Sequence, residues 1–318
     1  MQFTFEDVKN QLVPASHRLM DEWVNRTLLD EQYTWQNGLF RTEPTNQLIH
    51  RFRSVPEIEM WDEWRENELA KRAEFPELDE VELELTEFSK YFDATDKYMK
   101  YGRNNAVDTA SLYLNDLNYW TEQFVRGGLR RMPEMAAGVF LNAFSAAAQP
   151  MPDGTALIAN AHTDVPGDNL TTTELSPQLF SEFDAMRVGV NAFGEPRMWN
   201  WDTIIIGPDN EAKLDQLINA QSMPGGMDND ANPWRTRFSR KIVLPWLDDQ
   251  VQTGASDYVF VLDSRQHNLL GLVAEMPHFL EPFKQSARHW KFEATTIFSY
   301  FALNNAGIAG STGADAAA

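Results

Sequence analysis

Apolar positions along this chain recur at two spacings, and each spacing predicts a different element. In residues 13–29 the apolar side chains follow helical spacing around Asp21, Glu22 and Arg26. We predict an amphipathic helix there, either a surface helix on its own core or an arm that packs on a neighbour.

Two strand patterns then flank a stretch crowded with charge. Residues 47–54 read QLIHRFRS, and in residues 81–92 Val81 and Leu83 alternate with Glu82 and Glu84. Two strands joined by a long charged excursion predict an extended hairpin. Such a ribbon needs a partner to lie on, because two strands alone are marginal in water. A sheet with a helical insertion fits the pattern equally well.

The middle of the chain predicts a long helix. Apolar residues between 107 and 125 form one stripe, but a Gly-Gly pair at 127–128 should loosen the helix. Pro133 should kink or break it, because proline lacks the amide hydrogen that a helix interior needs. A second helical piece is expected over residues 134–148.

The second half predicts alternating short elements. A Pro-Asp-Gly turn at 152–154 precedes a short strand at Leu157 and Ile158, and residues 172–190 follow helical spacing. Residues 202–208 predict a buried strand, and 211–220 predict an amphipathic helix lined by Leu214, Leu217 and Ile218. Later apolar runs lie at 242–247, 257–262, 268–273 and 290–305. The tail from residue 307 onward is rich in small residues and predicts no element.

Hydrophobic content, net charge and the absence of cysteine exclude several classes of function. With 318 residues, 43% of them hydrophobic, the chain can bury a sizeable core. Its net charge of -20 disfavours binding to phosphate backbones, and the absence of cysteine excludes disulfides and thiolate chemistry. No apolar run approaches the roughly 20 residues of a membrane-spanning helix.

Candidate chemistry is sparse. The pair His162 and Asp164 is the best acid–base candidate, although a loop histidine that bonds nearby backbone is the simpler interpretation. The loop residues Asp228, Asn229, Asp230 and Asn232 resemble part of a calcium loop but lack its later glutamate. No nucleophile elbow, phosphate loop or paired-histidine motif occurs.

Ten tryptophans, several in charged or loop surroundings, favour interfaces instead. The candidate inter-subunit contacts lie in the N-terminal arm, the charged hairpin and the loop 224–234. They are Trp23, Trp61, Trp64, Arg65, Lys71, Arg72, Met227, Asp228, Asp230 and Trp234.

The order of these segments resembles a tailed-phage major capsid protein of the Hong Kong 97-like fold, and within that group the Mu-like major head subunits. Three stretches carry the resemblance: residues 130–164 (RRMPEMAAGVFLNAF, then PDGTALIANAHTD), residues 175–218 with DTIIIGPDNEAKLDQLI, and VLPWLDD before DYVFVLD in residues 243–263.

This resemblance implies an α+β fold with four parts. They are an N-terminal arm (1–45), an extended hairpin or E-loop (46–92), a peripheral domain with a long spine helix (93–151 and 276–300) and an axial domain (152–275 and 301–318).

The resemblance also implies a role and partners. The expected role is a shell subunit that forms hexamers and pentamers around packaged double-stranded DNA, without sequence-specific DNA binding, enzyme activity, cofactor or membrane. Such a subunit is made in the host cytoplasm and resides in the virion, where scaffolding, portal and decoration proteins are further possible partners. The alternatives are a carboxylate- or histidine-dependent hydrolase or lyase, built on His162 and Asp164, and a minor virion protein. Lys71 is the obvious hairpin lysine for a crosslink, but no partner is identifiable.

Overall fold

A computed structural model describes most of the chain. The described residues are 20–22, 24–25, 35–53, 80–95, 109–147, 151, 153–160, 162, 168–190, 196–220, 232–280, 283–286 and 289–313.

Strands and three principal helices alternate along the described residues. The first half contains β1 (Arg41–Pro44), β2 (Ile49–Arg53), β3 (Glu80–Glu84), β4 (Thr86–Thr95), α1 (Thr109–Leu141), β5 (Leu170–Thr171), α2 (Pro177–Met186), β6 (Val188–Val190) and β7 (Pro196–Met198). The second half contains β8 (Thr203–Ile206), α3 (Glu211–Asn219), β9 (Arg240–Val243), β10 (Val259–Leu262), β11 (Leu269–Phe279), β12 (Phe283–Ser286), β13 (His289–Ala302) and β14 (Ile308–Ser311).

The chain divides into two compact units. The first comprises Met1–Ile49, Glu84–Ala136 and Gly271–Tyr300, and the second comprises His50–Leu83, Ala137–Leu270 and Phe301–Ala318. Each unit has its own sheet and its own buried side chains.

The first unit is built on the long strand β13. Strand β4 pairs with it antiparallel over ten positions, from His289 opposite Thr95 to Phe298 opposite Thr86. Aromatic rings fix this packing: Phe92 of β4 stacks on Phe292 with centroids 4.9 Å apart, and Phe124 of α1 meets Phe92 at 5.2 Å. The aromatic and β-branched residues of these strands suit a half-buried pleated surface.

Helix α1 runs without interruption through Pro133, so the expected break there is wrong. Proline costs about 3 kcal/mol in a helix interior. Leu129 and Met132 before it and Ala136 after it are buried, and burial of this stripe offsets the cost. The helix ends at Leu141, earlier than expected.

The second unit contains a five-stranded sheet in the order β5-β14-β10-β8-β9. Strands β8 and β10 are antiparallel, and every residue of both is buried. Alternate residues face two cores. Ile204 and Val261 pack in one buried hydrophobic cluster with Leu179 and Phe183 of α2 and Leu214 of α3. Phe260 instead meets Phe140 and Phe144. A sheet covered on both faces explains the continuous apolar runs of these strands.

Three short segments differ from expectation. Leu157 and Ile158 are buried but lie in irregular backbone, where the Asn169 side chain accepts from Ala159 N (2.8 Å) and donates to Leu157 O (2.9 Å). The small-residue tail contains the buried strand β14, which pairs with β10.

The helix expected over 172–190 is only α2. It begins after Ser176, whose Oγ accepts from Leu179 N (3.3 Å), and the next residue is a proline suited to the first turn. Residues 188–190 form β6 instead. The predicted strand at 202–208 and the helix at 211–220 are confirmed.

Candidate assembly surfaces

Most predicted contact residues lie outside the described residues, and their roles stay predictions. They are Trp23, Trp61, Trp64, Arg65, Lys71, Arg72, Met227, Asp228 and Asp230.

Trp234 is described, and its position differs from the expectation of an exposed contact. Only 3% of the residue is exposed, and its ring lies 5.1 Å from that of Phe180 within the core of the second unit. Trp234 therefore stabilises the subunit's own fold.

Asn232, which the sequence suggested as part of a calcium loop, instead bonds carbonyl groups at the C-terminal end of α3. Its side-chain amide donates to Leu217 O (2.6 Å) and Ala220 O (3.2 Å), which are carbonyls at the end of α3. Its Oδ1 accepts from Trp234 N (3.0 Å). The side chain thus satisfies carbonyls that a helix end leaves without partners, and it anchors Trp234.

The predicted pairing at the base of the extended hairpin is present, but the second predicted strand (81–92) is divided, because Thr86–Thr95 forms β4 and pairs with β13. Strands β2 and β3 make a separate two-stranded sheet, and Leu83 is buried while Glu82 and Glu84 are exposed. Arg51 Nε lies 3.2 Å from Glu82 Oε2, but this pair is solvent-exposed and contributes at most about 1 kcal/mol. Residues 54–79 lie outside the described residues.

Strands β6 and β7 form a second isolated pair, which we name the apolar ribbon. Val188 pairs with Met198, and Val190 with Pro196. Alternation places these four residues on one face, and all four are exposed. Arg197 lies on the opposite face, with its guanidinium 4.6 Å from the Trp199 ring.

A cavity of about 700 Å³ lies in the second unit, and the inner side of the apolar ribbon contributes to its wall. Its floor includes Glu182, whose carboxylate accepts from Thr171, from Thr173 Oγ1 (2.8 Å) and from Gln178 Nε2 (3.0 Å). Burial alone would raise the pKa of Glu182, but these hydrogen bonds outweigh it and lower the pKa below 4.5.

The His162 side chain is buried in a hydrogen-bonded group and does not line an accessible site. Its Nδ1 lies 3.0 Å from Asp153 Oδ2 and 3.0 Å from Thr155 Oγ1, so it bonds side chains rather than backbone. The His162 and Asp153 side chains are 0% and 1% exposed, which leaves a substrate no access. Burial would raise the pKa of Asp153, but hydrogen bonds from Thr155 and His162 lower it. Asp164 lies outside the described residues.

Other chemistry is equally sparse. Among the described residues, no three His, Asp or Glu side chains group closely enough to hold a metal ion. No helix within the described part of the chain has the length and apolarity needed to cross a membrane.

A match to a protein family decides between a catalytic and a structural role. Residues 79–314, most of the chain and much of both units, match the family described as phage capsid protein. The chain belongs to this family. It is a phage capsid protein, a structural subunit of the virion and not an enzyme, so the hydrolase or lyase alternative is rejected.

Solved capsids share the fold of this capsid protein. The cyanophage A-1(L) capsid has a TM-score of 0.53 at 11% identity, with 88% of this chain and 92% of that chain covered. The capsid of Myoviridae Phage XM1 has a TM-score of 0.52 at 10% identity, with 88% and 92% covered. The capsid of an empty GTA particle has a TM-score of 0.51 at 10% identity, with 89% and 96% covered. No curated protein matches the sequence.

These findings confirm the α+β, Hong Kong 97-like fold and the role of a major capsid protein that self-associates into an icosahedral shell. Sequence reasoning missed the apolar ribbon, because Val190 continues the helical spacing of α2. The available signal was the sequence Gly194-Glu195-Pro196, because a glycine and a proline this close together favour a turn between two short strands.

Proposed function

We propose that this capsid protein forms the hexamers and pentamers of a tailed-phage head and encloses the packaged double-stranded DNA. The single observation that supports this most strongly is the family match, which extends from β3 to β14. A match that includes residues of both compact units fits a subunit whose whole fold serves to tile a closed surface.

The two units suit two places in a capsomer. We assign the first unit, with the part of α1 up to Ala136, to the peripheral domain of the spine helix. We assign the second unit, with its five-stranded sheet, to the axial domain. The domain bounds 93–151 with 276–300 and 152–275 with 301–318 remain our proposal.

The extended hairpin and the N-terminal arm are proposed to reach over neighbouring subunits. Their support is the isolated two-stranded base formed by β2 and β3, since a ribbon of this kind gains stability by lying on another surface. Trp61 and Trp64 with Arg65, Lys71 and Arg72 would supply anchors there, as aromatic and arginine side chains often do at interfaces.

The acidic balance fits a container for DNA. A net charge of -20 disfavours adhesion of the subunit to a packaged polyanion. We further propose kinship with Mu-like head subunits, synthesis in the host cytoplasm, and contacts with separate scaffolding, portal or decoration proteins.

Electron microscopy of the expressed chain tests this function. We expect closed shells, or rings of five and six subunits, formed either alone or with neighbouring phage proteins. Particles in which the chain is a minor component by mass would contradict the proposal.

A hairpin variant sharpens the test. Replacing residues 57–76 with a short Gly-Ser linker keeps β2 and β3, and should give folded subunits that do not assemble. The control is the unfolding midpoint of the dissociated variant, which should match that of the wild type. Normal shells from this variant would refute the role of the hairpin.

A further inference from the structure

The apolar ribbon has its hydrophobic pattern inverted. A two-stranded ribbon on a protein surface usually turns its apolar residues inward and its charged residues outward. Here Val188, Val190 and Met198 are 65%, 50% and 58% exposed, while Arg197 is half-buried and faces inward.

The inverted orientation is held in place by specific contacts. Arg187 Nε donates to Trp199 O (2.8 Å), and Trp199 N donates to Arg187 O (2.8 Å) at the base of the ribbon. Arg197 lies over the Trp199 ring. A Cβ built on Gly189, the cross-strand partner of Arg197, would lie 3.6 Å from Arg197 Nη2, so the Arg197 side chain lies over Gly189 on the inner side of the ribbon, where both residues line the cavity. The apolar face is therefore directed outward by the fold itself.

Within the subunit, the described residues leave this face without a cover. Strands β6 and β7 pair with each other, and the sheet has no further described strand. Three large apolar side chains beside one another on a single exposed face are typical of an interaction surface, whereas single exposed apolar residues are ordinary.

We propose that the outward face of the apolar ribbon docks on a second copy of this chain in the assembled shell. This inference rests on the proposed function and extends it to particular residues.

Charge favours a copy of the same chain as the occupant. Two subunits that each carry a net charge of -20 repel, so their contacts should form where charge is absent. The four outward residues of the ribbon carry no charge, and depletion of charged residues is the mark of an interface centre. A strongly basic partner would find no opposite charge on these four residues.

The size of the face agrees with a shell contact. Four side chains cover far less than the roughly 800 Å² per partner that a stable pairwise interface buries. The ribbon alone would not hold a dimer. It suits one part of the broader contact that a self-associating capsid subunit makes with its neighbours.

Thiol labelling provides a direct test, because the chain contains no cysteine. We would make V190C and M198C in the full chain, with V251C as a matched exposed position in the same unit (54% exposed). A small maleimide should label all three in dissociated subunits. In shells of this chain alone, labelling at 190 and 198 should be at least about tenfold slower than at 251, because thiol reaction requires access.

Equal labelling of all three positions in shells would overturn the proposal. So would equal slowing at all three, since the shell would then simply retard the reagent. A ribbon thiol that stays reactive until another virion protein is added would assign the face to that protein, and would also overturn the proposal.

A charge substitution provides an independent readout. V190E should keep the unfolding midpoint of the control V251E, because both positions are exposed in the subunit. V190E should raise the subunit concentration needed for assembly by at least about tenfold, since it buries an unpaired carboxylate at the contact. Equal assembly of V190E and V251E would overturn the proposal. If the wild-type chain forms neither shells nor rings of five or six subunits, alone or with neighbouring phage proteins, the proposed function fails first.

Discussion

Gly310 lies in β14 at a point where the sheet has no room for a side chain. A Cβ added there would lie 2.9 Å from Phe260 Cδ1, 3.1 Å from Phe260 Cε1 and 3.3 Å from Ile158 Cγ1. The Phe260 ring cannot move aside easily, because it is fully buried and packs against Phe140 (5.3 Å) and Phe144 (5.5 Å). Gly310→Ala should therefore overpack the core of the second unit.

The magnitude follows from two opposing effects. Overpacking a well-packed core costs typically about 1–3 kcal/mol. Alanine recovers about 0.5–1 kcal/mol through its lower conformational entropy in the unfolded chain. The difference is a net loss of about 0–2.5 kcal/mol in the free energy of unfolding, measured by urea unfolding of dissociated subunits.

A glycine of the same unit is the matched control. A Cβ at Gly138, in α1, meets no heavy atom within 4 Å. Gly138→Ala should stabilise the subunit by about 0.8–1.0 kcal/mol through helix propensity alone. If Gly310→Ala proves as stable as Gly138→Ala, the reasoning from crowding is refuted.

A double-mutant cycle identifies the neighbour responsible. Phe260→Leu should relieve the clash at position 310, so Gly310→Ala should cost less in that background than in the wild type. We expect a coupling energy of about 0.5–3 kcal/mol, the range for residues in contact. Strict additivity would show that Phe260 is not what excludes the added carbon.

Three further changes test other parts of the structure. Asn232→Ala should lower the free energy of unfolding by about 1–3 kcal/mol, because it leaves carbonyls at the end of α3 and the Trp234 amide without partners; unchanged urea unfolding would contradict this. Ser176→Ala should cost about 1 kcal/mol by removing the N-cap of α2, and a loss below the error of the same assay would argue against that cap. Stability should also fall as the pH is lowered. Burial lowers the pKa of His267 below 6.5, although the negative charge of Asp263 acts in the opposite direction. The unfolded chain therefore binds this proton more readily than the folded subunit does, and stability begins to fall as the pH drops through 6.5. Glu182 and Asp153, whose pKa values are lowered from 4.5 and 3.8, continue the loss below those values. His267→Gln should flatten the unfolding profile between about pH 7 and 5 while the slope below 4.5 persists; an unchanged profile would rule out His267 as its source.

Several elements could be predicted because their physical requirement is visible in the sequence. The run IIIG at 204–207 shows the unbroken apolar character of a strand covered on both faces. The alternation from Val81 to Leu85 shows one buried side of the hairpin base. Leu214 and Leu217 mark the buried stripe of α3, and both are buried.

Other elements were hidden because tertiary contacts decide them. Strand β14 is built of small residues that predict no strand, yet Phe260 and Ile158 require a small residue there. Pro133 argues locally against a helix, but the buried stripe around it keeps α1 continuous. The sequence around Trp234 predicts a loop, and only the fold shows that this side chain is buried in the core of the second unit.

The sequence could predict that the protein makes inter-subunit contacts, but it could not predict which residues make them. Charge and aromatic content indicate an assembling protein, but they do not distinguish a core tryptophan from an interfacial one. The apolar ribbon carries no tryptophan and little charge, so composition gives no reason to select it.

The position of β14 has a consequence for synthesis of the protein. This strand lies between β10 and β5, so the sheet of the second unit has a gap until residues 308–311 leave the ribosome. Until then β10 keeps an open edge of the kind that templates aggregation. The nascent subunit therefore cannot close this sheet when β8 and β10 are made, and completion of the sheet waits until residues 308–311 have been synthesised.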